Sequence, residues 1–448
     1  MMKKFIRNLM LQIKGNDIKR EYREIKQIHD ANDLGKFQEK YLERLILHSY
    51  ENVPYYQNIF DKIGIVNNGK VILSRFHEIP ILTKDILRKH RRILLSRDYN
   101  KRKWYDSSTG GSTGEPVKFV QDLSYKKWCD ATNKYYFQEM LNINECNIKK
   151  IIFWGSPRDL SKGKIGVNAK INNWLKNIVI LDCFRMNDKD MESYIEIINT
   201  YKPDLIRGFT GSLFELAKFA ERNNLKIYKP MKIVGSAETL TNEMREKIES
   251  AFGTKLYDFY GSRETASIAG ECKDGLMHIF SFNHYIEIVD QNNNPVVEGQ
   301  NGRIIITNLH NYSMPFIRYE IGDMAILGSK KCTCGNFLPC IKKLYGRIEE
   351  QFIRKDGTIV TGLFFVHLLG VLLNKDYIKK YQIIQEDYNK IRIFAVIDKG
   401  LPENEKTEIE QKIKSQMGTE CKFKWDFVDD IPKTQSGKYL VTKSLINK

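Results

Sequence analysis

No stretch of this chain approaches the ~20 apolar residues that a membrane-spanning helix needs. The basic opening, residues 1–16, has only short apolar runs, broken by Arg7, Asn8, Gln12 and Lys14. No small-residue cleavage site follows, so a secretory signal is not expected. Eight cysteines in 448 residues are too sparse for the dense disulfide framework of a small secreted domain, and a reducing cytoplasm is the expected location. There is no internal repeat and no low-complexity segment. No basic block is joined to a nucleic-acid-binding motif, which sets nucleic acid aside as a partner. Acidic residues are outnumbered, 55 to 72, giving a formal charge of +17. That excess suits a solvated basic surface or the attraction of an anionic small molecule, and by itself decides nothing.

What is present in quantity is apolar material, 42% of residues, enough for a substantial core and more than one domain. Phe5, Ile6, Leu9, Met10 and Ile13 recur at helical spacing. Packing of that face against the protein is expected ahead of docking on an anionic membrane surface. Residues 1–90 read as mainly helical, with Pro54 breaking one helix and Thr83 opening another through Lys84–His90. From about 104 to 330, strands at Ile151–Trp154, Ile178–Leu181, Leu205–Gly208 and Ile233–Gly235 alternate with helices at Met191–Tyr201, Ser212–Asn223 and Thr241–Phe252. That alternation predicts an α/β core. Tyr285–Val289 and Gly302–Leu309 add β character.

Beyond Gly346 the pattern changes to a compact α+β module of about 100 residues. Tyr377–Gln385, Lys390–Ile397 and Cys421–Val428 read as strands, and Glu403–Met417 as a helix. Phe352–Ile359 reads as a hairpin turning at Asp356-Gly357. The expected organisation is a large multi-layer domain, 1–346, followed by a smaller domain, 347–448.

Ser108-Thr109-Gly110-Gly111-Ser112-Thr113-Gly114 is the most informative local stretch. Clustered glycines let backbone amides approach a phosphate, and Ser and Thr add hydroxyl donors. A Walker loop needs four residues between its glycines and then Lys-Ser/Thr. Here Gly110 and Gly114 are separated by three, and Glu115 stands where lysine would help.

The same stretch, with Pro116, matches the Ser/Thr-Gly-Ser/Thr-Thr-Gly-x-Pro loop of adenylate-forming enzymes. Further segments follow in that superfamily's order: Tyr257-Asp258-Phe259-Tyr260-Gly261-Ser262-Arg263-Glu264, Ile317-Arg318-Tyr319-Glu320-Ile321-Gly322-Asp323, Gly346-Arg347-Ile348-Glu349-Glu350, and Pro432-Lys433-Thr434-Gln435-Ser436-Gly437-Lys438. Val53-Pro54-Tyr55-Tyr56, Ile79-Pro80-Ile81-Leu82-Thr83-Lys84, Tyr201–Gly208 and Gly235-Ser236-Ala237-Glu238 are similar to the phenylacetate-CoA ligase branch. Tyr-Gly-Ser-Arg-Glu at 260–264 leans toward its capsular-polysaccharide CapK group. The resemblance spans nearly the whole chain.

The resemblance implies a large nucleotide-binding domain, a mobile small domain, and ATP-dependent activation of a carboxylic acid through an acyl-adenylate. Within it, Ser108–Gly114 would meet phosphates, Ser236-Ala237-Glu238 would belong to the cofactor-binding set, and Tyr260, with Asp258 and Gly261 beside it, would lie against adenine. Glu264 would hold Mg²⁺, Asp323 would accept both ribose hydroxyls, and Glu349 would be the hinge. Lys438 would reach the reacting phosphate, joined by Arg347, and Arg318 would either bind nucleotide or brace the Asp323 loop. Phe209, Thr210 and Gly235 are candidates for the acid pocket. The thiol-tunnel Arg-Gly pair of many CoA ligases is absent, so CoA, an amine and a hydroxyl all remain open as acceptor. A plain aryl- or acyl-CoA ligase is one alternative. Another is a degenerate adenylate-binding scaffold of polysaccharide assembly, against which intact Glu264, Asp323 and Lys438 argue.

Cys332-x-Cys334-Gly335 with Cys340, and Cys272 with His278 upstream, offer thiolate and imidazole donors suited to tetrahedral Zn²⁺. The competing reading is a set of reduced, packed cysteines, and spacing does not assign the fourth ligand.

Overall fold

The computed structural model describes residues 17–108, 117–144, 148–154, 173–183, 186–237, 240–290, 292–329, 332–347, 351–361, 364–365, 368–369, 377–397, 400–429, 431 and 442–446. It divides into a larger compact unit, built from residues up to 343, and a smaller one from residue 344 onward that also takes in Val117 and 322–324.

In the larger unit, helices α1 (Lys19–Lys26), α2 (Ala31–Asn52), α3 (Pro54–Ile63) and α4 (Lys84–Leu94) come first. Their ends follow capping chemistry. Asp30 accepts hydrogen bonds from the amides of Asn32 and Asp33 at 2.9 and 2.8 Å. Pro54 occupies the first turn of α3, where its missing N–H costs nothing, and Gly64, at φ = 60°, ends it in the left-handed conformation. Thr83 caps α4 through the amide of Ile86. The segment before α4 is tied down by exchange with the strand region beyond it, the Leu82 amide donating to the Arg318 carbonyl and the Glu320 amide to that of Leu82, both at 2.9 Å.

The glycine-rich stretch is framed by β1 (Trp104–Ser108) and β2 (Lys118–Asp122), an antiparallel pair with Ser108 opposite Lys118. Helix α5 (Leu123–Tyr135) follows, capped by Asp122, and runs into a π-helical turn at Tyr136–Met140.

Then come β3 (Lys150–Phe153), β4 (Ile178–Leu181), α6 (Asp188–Tyr201), β5 (Leu205–Phe209), α7 (Thr210–Arg222), β6 (Lys232–Ser236), α8 (Asn242–Phe252) and β7 (Leu256–Ser262). These five strands are parallel, in the order β4-β3-β5-β6-β7. Parallel strands need crossover helices, and α6–α8 bury Ile195, Ile198, Leu213, Leu216, Ile248 and Phe252 against one sheet face. The sheet continues through β8 (Ala266–Glu271), β9 (Met277–Ile279), β10 (His284–Val289), β11 (Asn301–Asn308), β12 (Tyr319–Leu327) and β13 (Cys340–Arg347), with β7–β8, β8–β9, β9–β13 and β10–β11 pairing antiparallel. Among the described residues its order is β10-β11-β12-β13-β9-β8-β7-β6-β5-β3-β4.

In the smaller unit, β14 (Gln351–Ile353) and β15 (Ile359–Thr361) form the hairpin expected at Asp356-Gly357, with Gly357 at φ = 80°. A four-stranded sheet follows, β18-β17-β16-β19, from β16 (Ile378–Asp387), β17 (Lys390–Ile397), β18 (Lys422–Phe427) and β19 (Thr442–Ser444). Helix α9 (Glu403–Met417) buries Ile409, Ile413 and Met417, spaced by four, together with Ile383, Ile391 and Ile393 of the sheet. Among the described residues no helix is long and apolar enough to cross a membrane. The expected amphipathic helix over Phe5–Ile13 lies outside the described residues.

Candidate functional site

Ligands of open parallel sheets bind beyond the carboxyl ends of the strands. Here those ends bring Trp154, Phe209, Ser236 and Tyr260 to one edge, with Phe209 paired to Ser236 and Ser236 to Phe259 in register. Close packing beneath the edge requires glycine: a Cβ at Gly208 would lie 2.6 Å from that of Phe153, and one at Gly235 2.7 Å from Thr210 Oγ1. Thr210 is itself fully buried. Gly235 and Thr210 therefore fill the core instead of lining an acid pocket, a correction to the sequence reading. Phe209 stays at the edge, its ring 5.2 Å from the half-exposed Trp154. Just past Ser236, Ala237 has φ = 73°, a left-handed conformation costly for a residue with a Cβ and typical of loops shaped for a ligand.

The Tyr-Gly-Ser-Arg-Glu segment forms the β7–β8 hairpin. Ser262 Oγ lies 2.9 Å from Thr265 Oγ1 and accepts the Thr265 amide, closing the turn, while a side chain at Gly261 would strike the Ala266 carbonyl. The Glu264 carbonyl accepts from the side-chain amides of Gln121 and Asn308. Its carboxylate is a different matter. Glu264 is only 3% exposed, and none of the described residues hydrogen-bonds or ion-pairs with that group. A nearly buried carboxylate held this way suits a hard cation such as Mg²⁺.

Asp258, expected near the nucleotide, instead adjoins Glu271 and Arg245. The Glu271 carboxylate accepts the Asp258 amide at 2.8 Å and pairs with Arg245 at 2.8 Å. Burial, then the neighbouring Glu271, pushes the Asp258 carboxyl up to about 7, against the pull of Arg245. Arg318 is a second correction. It is 2% exposed at φ = 51°, its Nε donates to Glu287 at 3.1 Å, and Nη1 donates to the carbonyls of Ile79 and His77. Those partners make it a brace, not a nucleotide contact. Asp323 lies half-buried on β12, next to Gly322 at φ = 94°.

A second cluster lies where β8, β9 and the approach to β13 meet. Single donor atoms of Cys272, His278, Cys332 and Cys334 lie within 4.8 Å of one another, with Cys272 and Cys332 sulfurs 3.7 Å apart and Cys334 Sγ 3.2 Å from His278 Nε2. Gly335, at φ = 84°, turns the chain there. His278 Nδ1 lies 2.9 Å from the Leu338 carbonyl, which fixes the tautomer and leaves Nε2 facing the thiols. Burial opposes ionisation of Cys272, yet His278 and the amides of Asp274 and Leu276 hold its thiol below the ordinary range, at about 6. Three sulfurs and one imidazole nitrogen have the number and type of a structural zinc set. Cys340 falls outside those four. It pairs with His278 across the strands, its sulfur 3.4 Å from Nδ1.

Comparison with known proteins places these features. The model of the CapK C-terminal domain matches residues 352–445. The chain is 27% identical to Protein CapK of Staphylococcus aureus, over 96% of this chain and 95% of that one. It is 23% identical to the phenylacetate-coenzyme A ligase of Thermus thermophilus, over 78% of each. Among solved structures, 2-hydroxyisobutyryl-CoA ligase in the postadenylation state in complex with 2-HIB-AMP shares the fold, with a TM-score of 0.61 at 17% identity, covering 92% of this chain and 88% of that one.

The chain is thus similar over nearly its whole length to CapK and over most of it to a phenylacetate-CoA ligase, and it shares the fold of an adenylate-forming CoA ligase. Of the site residues expected for an adenylate-forming ligase, Thr109–Gly114, Glu238, Glu349 and Lys438 lie outside the described residues, and of Arg347 only the backbone, ending β13, is described. Ser108 ends β1 at the mouth of the glycine-rich stretch.

One residue escaped the sequence reading. Arg207 lies within the Tyr201–Gly208 segment. Its guanidinium lies 4.7 Å from the Phe259 ring centre and 5.7 Å from that of Phe137. The available signal was a single cation inside the apolar strand Leu205–Phe209.

Proposed function

We propose that this protein activates a carboxylic acid with ATP, releasing pyrophosphate, and passes the acyl group from the adenylate to an acceptor in surface-polysaccharide or acyl-group metabolism. The observation that carries this reading is Glu264, a nearly buried carboxylate without a partner among the described residues, set on a hairpin at the carboxyl edge of the parallel sheet. Both reactants are anionic, so the site must suppress repulsion and stabilise charge on the phosphoryl oxygens. Mg²⁺ held at Glu264 would supply that stabilisation. Ser108–Gly114 contribute amide and hydroxyl donors, Tyr260 an aromatic face for adenine, and Asp323 a carboxylate for the ribose diol. Lys438 and Arg347 bring positive charge to the phosphate, and Glu349 serves as hinge. Cys272, His278, Cys332 and Cys334 hold a structural Zn²⁺ apart from the chemistry.

The test is pyrophosphate release from ATP across aromatic, fatty, amino and uronic acids, with and without CoA. At least one acid should release pyrophosphate, and Glu264→Gln should slow it at least ~10²-fold, in the range of a lost charge-stabilising group. CoA-dependent AMP release would assign the thiol acceptor. Silence with every acid would favour an adenylate-binding scaffold.

A further inference from the structure

Strand β2 reads Lys118-Phe119-Val120-Gln121-Asp122, and every residue after Lys118 is buried. A buried side-chain amide in such a strand is costly unless its donors find acceptors. Gln121, 4% exposed, finds two: its Nε2 donates to the Arg263 carbonyl at 3.2 Å and to the Glu264 carbonyl at 3.1 Å. Those carbonyls belong to the two peptides that flank the Glu264 Cα, so one amide group holds the backbone on both sides of it. Asn308, fully buried at the end of β11, donates from Nδ2 to the same Glu264 carbonyl at 3.3 Å. The nearly buried Glu264 carboxylate thus leaves the turn from a fixed backbone.

The elements joined in this way share no strand pairing. Strands β1 and β2 form a two-stranded sheet of their own, whereas β7 and β8 belong to the large sheet. Gln121 pairs with Tyr105 on the same hairpin as the Ser108–Lys118 pair that frames the glycine-rich stretch. That hairpin is also tied to the segment following Asn308. Asn311 Nδ2 donates to the Val120 carbonyl at 3.0 Å, and Asn311 Oδ1 accepts the Asp122 amide at 3.1 Å. The Asp122 carboxylate accepts the amides of Tyr312 and Ser313 at 2.8 and 3.1 Å. Hairpin β1–β2, the Glu264 turn and the end of β11 form one hydrogen-bonded junction.

We infer that Gln121 is a positioning residue that holds the Glu264 carboxylate in the orientation that binds a divalent cation, acting through the Glu264 backbone from the hairpin that frames the glycine-rich stretch. The inference rests on the reading of Glu264 as the Mg²⁺ ligand. A ligand whose backbone is fixed before the ion arrives loses less conformational freedom on binding it. A partner one step behind the ligand is worth about 10- to 100-fold in metal affinity.

The test uses the full chain, the uncleavable α,β-methylene analogue of ATP, and Mn²⁺, which takes the same oxygen ligands as Mg²⁺. Water-proton relaxation follows the protein-bound ion. Q121M keeps the side-chain length and removes both donated bonds. It should raise the Mn²⁺ dissociation constant about 10- to 100-fold, with binding of the analogue in EDTA near that of the wild type. N308L removes the other donor to the Glu264 carbonyl, should weaken Mn²⁺ in the same direction, and carries the comparison if Q121M does not fold. Wild-type Mn²⁺ affinity in the variant would overturn the inference. So would equal losses of Mn²⁺ and of metal-free analogue binding, the mark of a generally loosened site. E264Q separates this failure from that of the metal reading. If E264Q loses the ion and Q121M keeps it, only the positioning role falls. If E264Q binds Mn²⁺ as the wild type does, or the wild type binds none, Glu264 is not the metal ligand and the inference falls with that reading.

Discussion

Replacing Arg318 with leucine isolates what a buried ion pair does for this fold. Arg318 and Glu287 side chains are 2% and 4% exposed, with Nε 3.1 Å from one carboxylate oxygen and Nη2 3.1 Å from the other. Nη1 also donates to the Ile79 carbonyl at 2.7 Å, so the same head group ties the segment before α4 to the start of β12. Leucine meets the same backbone demand at φ = 51° and fills part of the volume, so the change removes chiefly the charge and its hydrogen bonds. Removing one partner of a buried pair leaves the other uncompensated and costs about 3–5 kcal/mol. The Ile79 carbonyl loses its donor as well, which holds the expectation at the upper part of that range. The assay is chemical denaturation followed by tryptophan fluorescence, with Trp128 reporting from the larger unit. A loss under about 1 kcal/mol would refute the reasoning. Weakened AMP binding at undiminished stability would restore Arg318 to the nucleotide site.

Purified protein should carry about one zinc per chain; Cys334→Ser should lower both zinc content and stability, while Cys340→Ser should keep the metal, and a stable, metal-free wild type would leave only packed cysteines. Asp258 has its carboxyl raised in the folded state, so it binds a proton that the unfolded chain has already released, and its contribution falls as pH rises from about 4 to about 7. Asp258→Asn should then gain stability relative to wild type at pH 8 and little at pH 4; a constant difference would count against it. Lys438→Ala should slow adenylate formation on the order of 10²–10³-fold yet transfer the acyl group from synthetic adenylate near the wild-type rate, and equal losses in single-turnover measurements of both steps would sink that division of labour.

Helix α9 was read from sequence over Glu403–Met417, the bounds it has in the structure, because a polar stretch with apolar residues every three to four positions satisfies only one periodicity. The parallel strands were legible for a related reason: each is a short apolar run separated from the next by helical spacing. Strands β7 and β8 were harder. Their hairpin contains Gly261, the Ser262–Thr265 turn and a bulge between Ser267 and Ala269, so no clean alternation marks them. Motif order carried the superfamily because five separate segments must fall in sequence along the chain.

The amino-acid sequence alone determined the α/β class, the change to an α+β module beyond Gly346, and the residue types available for phosphate, Mg²⁺ and zinc chemistry. These depend on local periodicity and composition, which act between neighbours along the chain. Tertiary structure alone decided that Cys272, His278, Cys332 and Cys334 converge while Cys340 stands aside, and that Arg318 is a buried brace. It also decided that Thr210 and Gly235 fill core and that Arg207 reaches across β6 to Phe259. Each of these is a contact set by strand order and register, which pair residues far apart in sequence and leave no periodic trace within either segment.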